Sequence, residues 1–314
     1  MLAIETHALS RVYGKTEAVR DVTLEVNRGE IFGFLGPNGA GKTTTIRMLT
    51  TLLPPTSGEA RVLGLDVRRE GRKLRPRIGV VQQGESYEYA ATVEDALDLY
   101  ALLWGVPKRE RKARVDELLR AFDLETQRTK RVQALSIGLR RRLQVAREFL
   151  HEMDLLFLDE PTVGLDPIAR RGILEAVREK ARGGLTVFLT TQNLDEAESL
   201  CDRIAILHEG RVVTVDTPQG LKDRFGGMKT LEVVVEAGDA EGFVARLRGI
   251  PSVSAAASEG GVVRVWTRDP GEAFRAALRL ADELRLRLGS VTLHEPTLEQ
   301  AFINLVQGKE DGRA

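Results

Sequence analysis

The sequence predicts a mainly parallel α/β domain followed by a smaller α+β unit. Two patterns carry that expectation. Short apolar runs at 31–35, 155–158, 185–189 and 204–207 alternate with segments of helical periodicity, as in a sheet covered by helices. Beyond Gly226-Gly227 the order changes to strand, helix, strand, strand, helix, strand, which is the ferredoxin-like arrangement.

Taken in order, residues 2–4 and 18–26 alternate apolar and polar side chains, as half-buried strands do. Gly29-Glu30 marks a turn, and 31–35 reads as a buried strand running into a Gly-rich loop. A helix over 42–49 follows, closed by Pro54-Pro55 and Ser57-Gly58. Between 92 and 123 the chain is helical, with Thr92 and Asp95 as a capping pair and Val93, Ala96, Leu97 and Tyr100 as an apolar stripe. Gly105 and Pro107 divide that stretch, and Val115, Leu118, Leu119 and Phe122 give its second half a buried face. A helix after Gly138 buries Leu143, Ala146, Phe149 and Leu150. Then come a strand over 155–158, a helix near 169–181, a strand over 185–189, a helix from Leu194 and a strand over 204–207.

This places a first domain at 1–225, with a helical subdomain at about 84–150. The second, 226–306, holds strands at 231–236, 253–257, 262–267 and 291–294 and helices at 240–248 and 271–287, then a last helix over 297–306. The polar tail 307–314 is expected to be disordered.

Bulk properties weigh against some classes of function. Lys+Arg and Asp+Glu each total 46, and this neutrality argues against direct nucleic-acid binding, which normally needs a basic excess. A single cysteine, Cys201, cannot form an internal disulfide and suits a reducing compartment. No apolar run approaches the ~20 residues of a spanning helix, and the N-terminus lacks a basic-then-apolar leader. A membrane role therefore requires another chain.

The chemistry is concentrated in one loop. Gly36-Pro37-Asn38-Gly39-Ala40-Gly41-Lys42-Thr43 fits G-x-x-x-x-G-K-[ST] between a strand and a helix, the context that a phosphate-binding P-loop requires. The glycines let successive backbone N–H groups curl around phosphate oxygens, and the helix N-terminus adds partial positive charge. Lys42 would reach the β- and γ-phosphates, Thr43 would hold Mg²⁺, and Thr44 would reach the α-phosphate. A Gly-rich turn before an ordinary helix matches this pattern by chance in about one chain in a hundred.

Downstream, Leu135-Ser136-Ile137-Gly138-Leu139 precedes Arg140-Arg141-Arg142-Leu143, and the strand ending Leu158-Asp159-Glu160 leads into Pro161-Thr162-Val163-Gly164-Leu165-Asp166-Pro167. With these motifs the chain, from about residue 2 to 225, resembles the ABC ATPase family, whose members are P-loop NTPases that bind ATP and Mg²⁺. Asp159 at a strand end is placed to hold the Mg²⁺ shell beside Thr43, and Glu160 to polarise the attacking water. Asp159-Glu160-Pro161 also reads as a helix N-cap acid pair. The resemblance assigns Ser136 and Gly138 to a signature loop that caps the γ-phosphate on a partner subunit. It gives Gln83 a role at Mg²⁺, water and the membrane subunit, with Gln82 as the adjacent rival. It makes Tyr13 the aromatic under adenine, against an ordinary strand aromatic, and puts Asp166 in a loop that communicates across the dimer. Two of the three arginines 140–142 read as a solvated face.

Two positions depart from the family pattern. Ile137 stands where a Gly is usual and stiffens the loop. Gln192 replaces the switch histidine; its amide can hydrogen-bond the γ-phosphate but cannot become an imidazolium. Related drug- and antibiotic-exporter ATPases share that Gln, followed by an acidic stretch like Asp195-Glu196-Ala197. The resemblance thus implies the ATP-hydrolysing subunit of an exporter at the cytoplasmic face of the membrane. Its expected partners are a second copy of itself, or a homologous cassette, and an integral-membrane permease. Non-transport ABC ATPases of translation or DNA maintenance are the alternative, but they usually carry tandem cassettes, zinc cysteines or coiled-coil insertions. A P-loop kinase is disfavoured by the signature loop. The C-terminal unit reads as dimer support, regulation or a stabilising appendage.

Overall fold

The computed structural model describes residues 1–84 and 86–306, so the tail at 307–314 lies outside the described residues. The chain divides into two compact units, Met1–Pro218 and one starting at Gln219.

The first unit opens with β1 (Leu2–Tyr13) and β2 (Thr16–Asn27), antiparallel and longer than the sequence pattern suggests, then β3 (Ile31–Leu35) and α1 (Lys42–Leu49). Next come β4 (Ser57–Val62), β5 (Leu65–Asp66), α2 (Gly71–Leu74), β6 (Ile78–Val81), α3 (Val93–Leu103) and α4 (Lys108–Ala121). After them run α5 (Ile137–Glu148), β7 (Leu155–Asp159), α6 (Pro167–Ala181), β8 (Thr186–Thr191), α7 (Leu194–Leu200), β9 (Arg203–His208) and β10 (Arg211–Asp216).

Two sheets result. One is antiparallel, in the order β2-β1-β4-β5; the other has six strands in the order β10-β9-β3-β8-β7-β6. In the second, β3, β6, β7, β8 and β9 are parallel neighbours and only the edge strand β10 runs antiparallel. Every residue of β3, β7 and β8 is buried, which is why those strands read as continuous apolar runs rather than alternating ones. Phe188 stacks on Phe32 and meets Phe34 and Phe157 in tilted ring contacts across these strands. Thr92 caps α3 by accepting from the Asp95 N–H, as the capping pair predicts.

Because the strands are parallel, β3, β7 and β8 deliver their C-terminal ends to one edge. Gly36–Lys42, Glu160 and Gln192 emerge there side by side, the edge at which parallel α/β sheets bind ligands.

The second unit contains α8 (Pro218–Phe225), β11 (Lys229–Ala237), α9 (Ala240–Leu247), β12 (Val253–Glu259), β13 (Val262–Thr267), α10 (Pro270–Glu283), β14 (Arg287–His294) and α11 (Leu298–Val306). Its sheet runs β12-β13-β11-β14 with every neighbouring pair antiparallel. Helix α8 falls with this unit, so the division lies ahead of the 225/226 boundary that the sequence suggests. Helix α10 stops at Glu283, short of the expected 287, because Arg285 takes a left-handed φ of 54° and Arg287 already pairs with Ala237.

Candidate functional site

Gly41 is the N-cap of α1, with a φ of 105° that is open to glycine and strained for other residues. A Cβ at Gly41 would also lie 2.5 Å from the Ala18 carbonyl oxygen. No side chain caps α1 and no acid occupies its first turn, so its first N–H groups and dipole are left available to an anion.

A cleft of about 200 Å³ opens above this helix end, lined by Ala18, Asn38, Gly39, Gly41, Lys42, Thr43, Thr44, Gln83 and Glu160. Lys42 is 5% exposed and donates to the carbonyls of Gly36 (2.8 Å) and Pro37 (3.0 Å). Its Nζ also lies 3.0 Å from Glu160 Oε1. The Gln83 amide donates to the other Glu160 oxygen at 2.9 Å. Thus Gln83, rather than its neighbour Gln82, enters the cleft.

Asp159 is buried just behind. Its Oδ1 accepts from Thr43 Oγ1 at 3.2 Å and from Thr190 Oγ1 at 2.7 Å. Hydroxyl and carboxylate oxygens so placed are the hard donors that Mg²⁺ takes, so the residues present fit that ion. Glu160 itself has a left-handed φ of 45°, uncommon for a residue with a Cβ. Its N–H is held by both the carbonyl and the hydroxyl of Thr190, each at 3.1 Å. No helix starts at Glu160; the next one begins at Pro167, so the acid pair is not a helix N-cap.

The other expected residues stand outside the cleft lining. Tyr13 ends β1, 43% exposed, with the Arg11 guanidinium 4.8 Å from its ring centre. Ser136 is the N-cap of α5 and accepts from the Leu139 N–H; Ile137 is exposed and Gly138 buried. Asp166 caps α6, accepting from Ile168 and Ala169, and the Ala169 N–H chiefly holds its carboxyl below the usual range. Gln192 is exposed at the end of β8. Among the described residues no three His, Cys, Asp or Glu side chains gather as a metal site.

A profile of the family described as ABC transporter matches residues 19–163. Over 303 residues the chain is 39% identical to the daunorubicin resistance ATP-binding protein DrrA3 of Streptomyces coeruleorubidus, covering 96% of this chain and 95% of that one. The chain belongs to the ABC transporter family of ATP-binding subunits. Its enzymatic class is therefore that of an ATP-hydrolysing transporter subunit. Among solved ABC structures, one titled "Structure of ATP binding subunit of ABC transporter" is 32% identical with a TM-score of 0.64, covering 71% of this chain and 93% of that one. The dimeric structure of MJ0796, a bacterial ABC transporter cassette, is 25% identical with a TM-score of 0.63 and covers 68% and 98%.

Three further residues of this ABC subunit contribute contacts that the sequence analysis does not anticipate. Thr190 joins Asp159 to Glu160, as above. Glu196, buried on α7, accepts from the hydroxyls of Thr162 and Thr191, joining the segment after Glu160 to the one before Gln192. Arg141 is 7% exposed rather than solvated, and neither Arg140 nor Arg142 is exposed; Arg142 pairs with Asp123 at 3.4 Å. The solvated reading of those arginines is thereby corrected: α5 turns the run against neighbouring loops. Burial chiefly lowers the pKa of Arg141, and the charges of Tyr87 and Asp159 oppose it. The signal available in the sequence was cationic charge at a helix start, where the macrodipole disfavours it.

Proposed function

We propose that this subunit drives export through a separate membrane permease by closing head to tail with a second copy around two ATP molecules. The observation that carries this reading is the convergence of Lys42, Gln83 and Glu160 on one cleft above the N-terminus of α1. The dimeric bacterial cassette supports pairing of two copies, and the resistance-associated relative supports the direction.

In this reading Gly36, Pro37, Asn38, Gly39, Ala40 and Gly41 present backbone N–H groups to the phosphates, and Thr44 reaches the α-phosphate. Lys42 leaves Glu160 for the β- and γ-phosphates. Freed of that partner, Glu160 accepts a proton from water as the water oxygen bonds to the γ-phosphorus and the bond to the β-phosphate bridge breaks. Thr43, Asp159 and Gln83 would hold Mg²⁺, whose chemistry is to neutralise charge on the β- and γ-oxygens. Tyr13 stacks on adenine. Ser136 and Gly138 at the start of α5 cover the γ-phosphate bound by the partner, and Gln192 hydrogen-bonds it from the same chain. Asp166 sits at the dimer contact. Among the described residues no helix is long and apolar enough to cross a membrane, so the permease would be a second polypeptide at whose cytoplasmic face this one sits. The βαββαβ unit is read as a ferredoxin-like accessory domain.

Purified wild-type protein should hydrolyse ATP, and Lys42→Ala should not bind it. Co-purification of a membrane subunit, identified by mass, tests the transport half. Retention of ATP binding by Lys42→Ala would overturn the site assignment.

A further inference from the structure

Arg141 uses all of its hydrogen-bonding capacity behind the site, four of its five bonds going to backbone carbonyls. A guanidinium has five N–H donors. Nε donates to the Pro161 carbonyl at 2.8 Å. One terminal nitrogen donates to the Gln82 carbonyl at 2.7 Å and Gln144 Oε1 at 2.6 Å. The other donates to the carbonyls of Asp159 at 3.2 Å and Glu160 at 3.1 Å. Among the described residues no carboxylate forms an ion pair with it. A buried cation is costly, and an apolar or amide side chain would serve packing alone at lower cost.

The residues it reaches are telling. Gln82 adjoins Gln83, whose amide holds the Glu160 carboxylate. Asp159, Glu160 and Pro161 form the strand end whose middle residue has the left-handed φ of 45°. Such a conformation persists only where its surroundings over-determine it. Thr190 pins the N–H of Glu160 and Arg141 pins its carbonyl, so both faces of the strained residue are fixed by side chains.

We propose that Arg141 is a positioning residue for ATP hydrolysis. It holds Glu160 in its left-handed conformation and Gln83 beside it, and it ties both to the helix that carries Ser136 and Gly138. The proposal rests on the reading of Glu160 as the group that polarises water.

A double-mutant cycle tests it. Arg141→Gln should lower kcat by about 100-fold, as an ångström-scale misplacement does, with ATP affinity changed by less than about twofold. Arg141→Lys, which keeps the charge but not the planar fork, should lower kcat by about tenfold. In a Glu160→Gln background either substitution should alter residual hydrolysis by less than about twofold, since the base whose placement Arg141 governs is gone. Wild-type kcat in Arg141→Gln, or an equal loss in both backgrounds, overturns the proposal. Should Arg141→Gln not fold, Arg141→Lys runs the same cycle, with wild-type kcat or equal losses again overturning it. If Glu160→Gln alone hydrolyses at the wild-type rate, the assignment of Glu160 fails instead, and the proposal with it.

Discussion

Lys42 Nζ stands 3.0 Å from Glu160 Oε1, and only 4% and 5% of the two side chains are exposed. In the proposed mechanism the cation for the phosphates is thus paired with the acid for the water, and a triphosphate entering the cleft would take Glu160's place at Lys42. Removing one charge from such a pair leaves the other buried and uncompensated.

Glu160→Gln should therefore bind ATP more tightly, by about tenfold or 1.4 kcal/mol. Titration calorimetry with EDTA present measures this without turnover. Hydrolysis with Mg²⁺ should fall by about 10²- to 10⁴-fold, the contribution of a positioned base. An unchanged affinity would show that the pair does not oppose nucleotide entry.

Thr190→Val keeps the shape of the side chain but removes the hydroxyl between Asp159 and the Glu160 N–H. A loss of about 1–3 kcal/mol in urea unfolding is expected, the cost of leaving buried polar groups short of a partner. The Mg²⁺ concentration for half-maximal activity should rise, while ATP binding in EDTA stays as in the wild type.

At Gly138 an added Cβ would lie 2.8 Å from the Ala169 Cβ. Gly138→Ala should push α5 from α6 and lower stability by about 1–3 kcal/mol, as overpacking does. It should also weaken ATP-driven pairing, because Ser136 begins the displaced helix. Thermal melts and sedimentation with ATP measure the two effects.

Burial, above all, lowers the pKa of His151 below 6.5, with Arg114 adding to it and the Ile78 carbonyl opposing. The unfolded chain therefore takes up a proton at this residue at a higher pH than the folded one. By linkage, stability falls as pH drops from 6.5 toward the folded pKa and levels off below it. His151→Phe, which can still stack on Trp104, should show a flatter dependence of the urea midpoint over about pH 7 to pH 5.5. A slope equal to that of the wild type would remove His151 as its source.

The proposed phosphate cradle is readable in the sequence because its chemistry is local: the backbone groups assigned to it are consecutive, from Gly36 to Lys42. The strands beneath it are readable because β3, β7 and β8 are buried on both faces. Strands β4, β6 and β10 are not, being short or only partly buried, with no long apolar run to mark them. The sequence over-extends helix α10 because Leu280 and Leu284 continue its stripe into Leu286 and Leu288, which already follow the period of a strand. Arg141, Thr190 and Glu196 escape notice for a different reason. Their partners are backbone atoms and side chains on other elements, and no spacing along the chain encodes such contacts. Tyr13, Asp166 and Gln192 are identified by resemblance, and none of the three lines the cleft.

In the proposed function a second copy completes the nucleotide site. Sedimentation of purified Glu160→Gln protein with ATP and Mg²⁺ tests it most directly. A stable dimer is expected, one that retains ATP and separates to monomers when ADP replaces it. Protein that remains monomeric while saturated with ATP would contradict it.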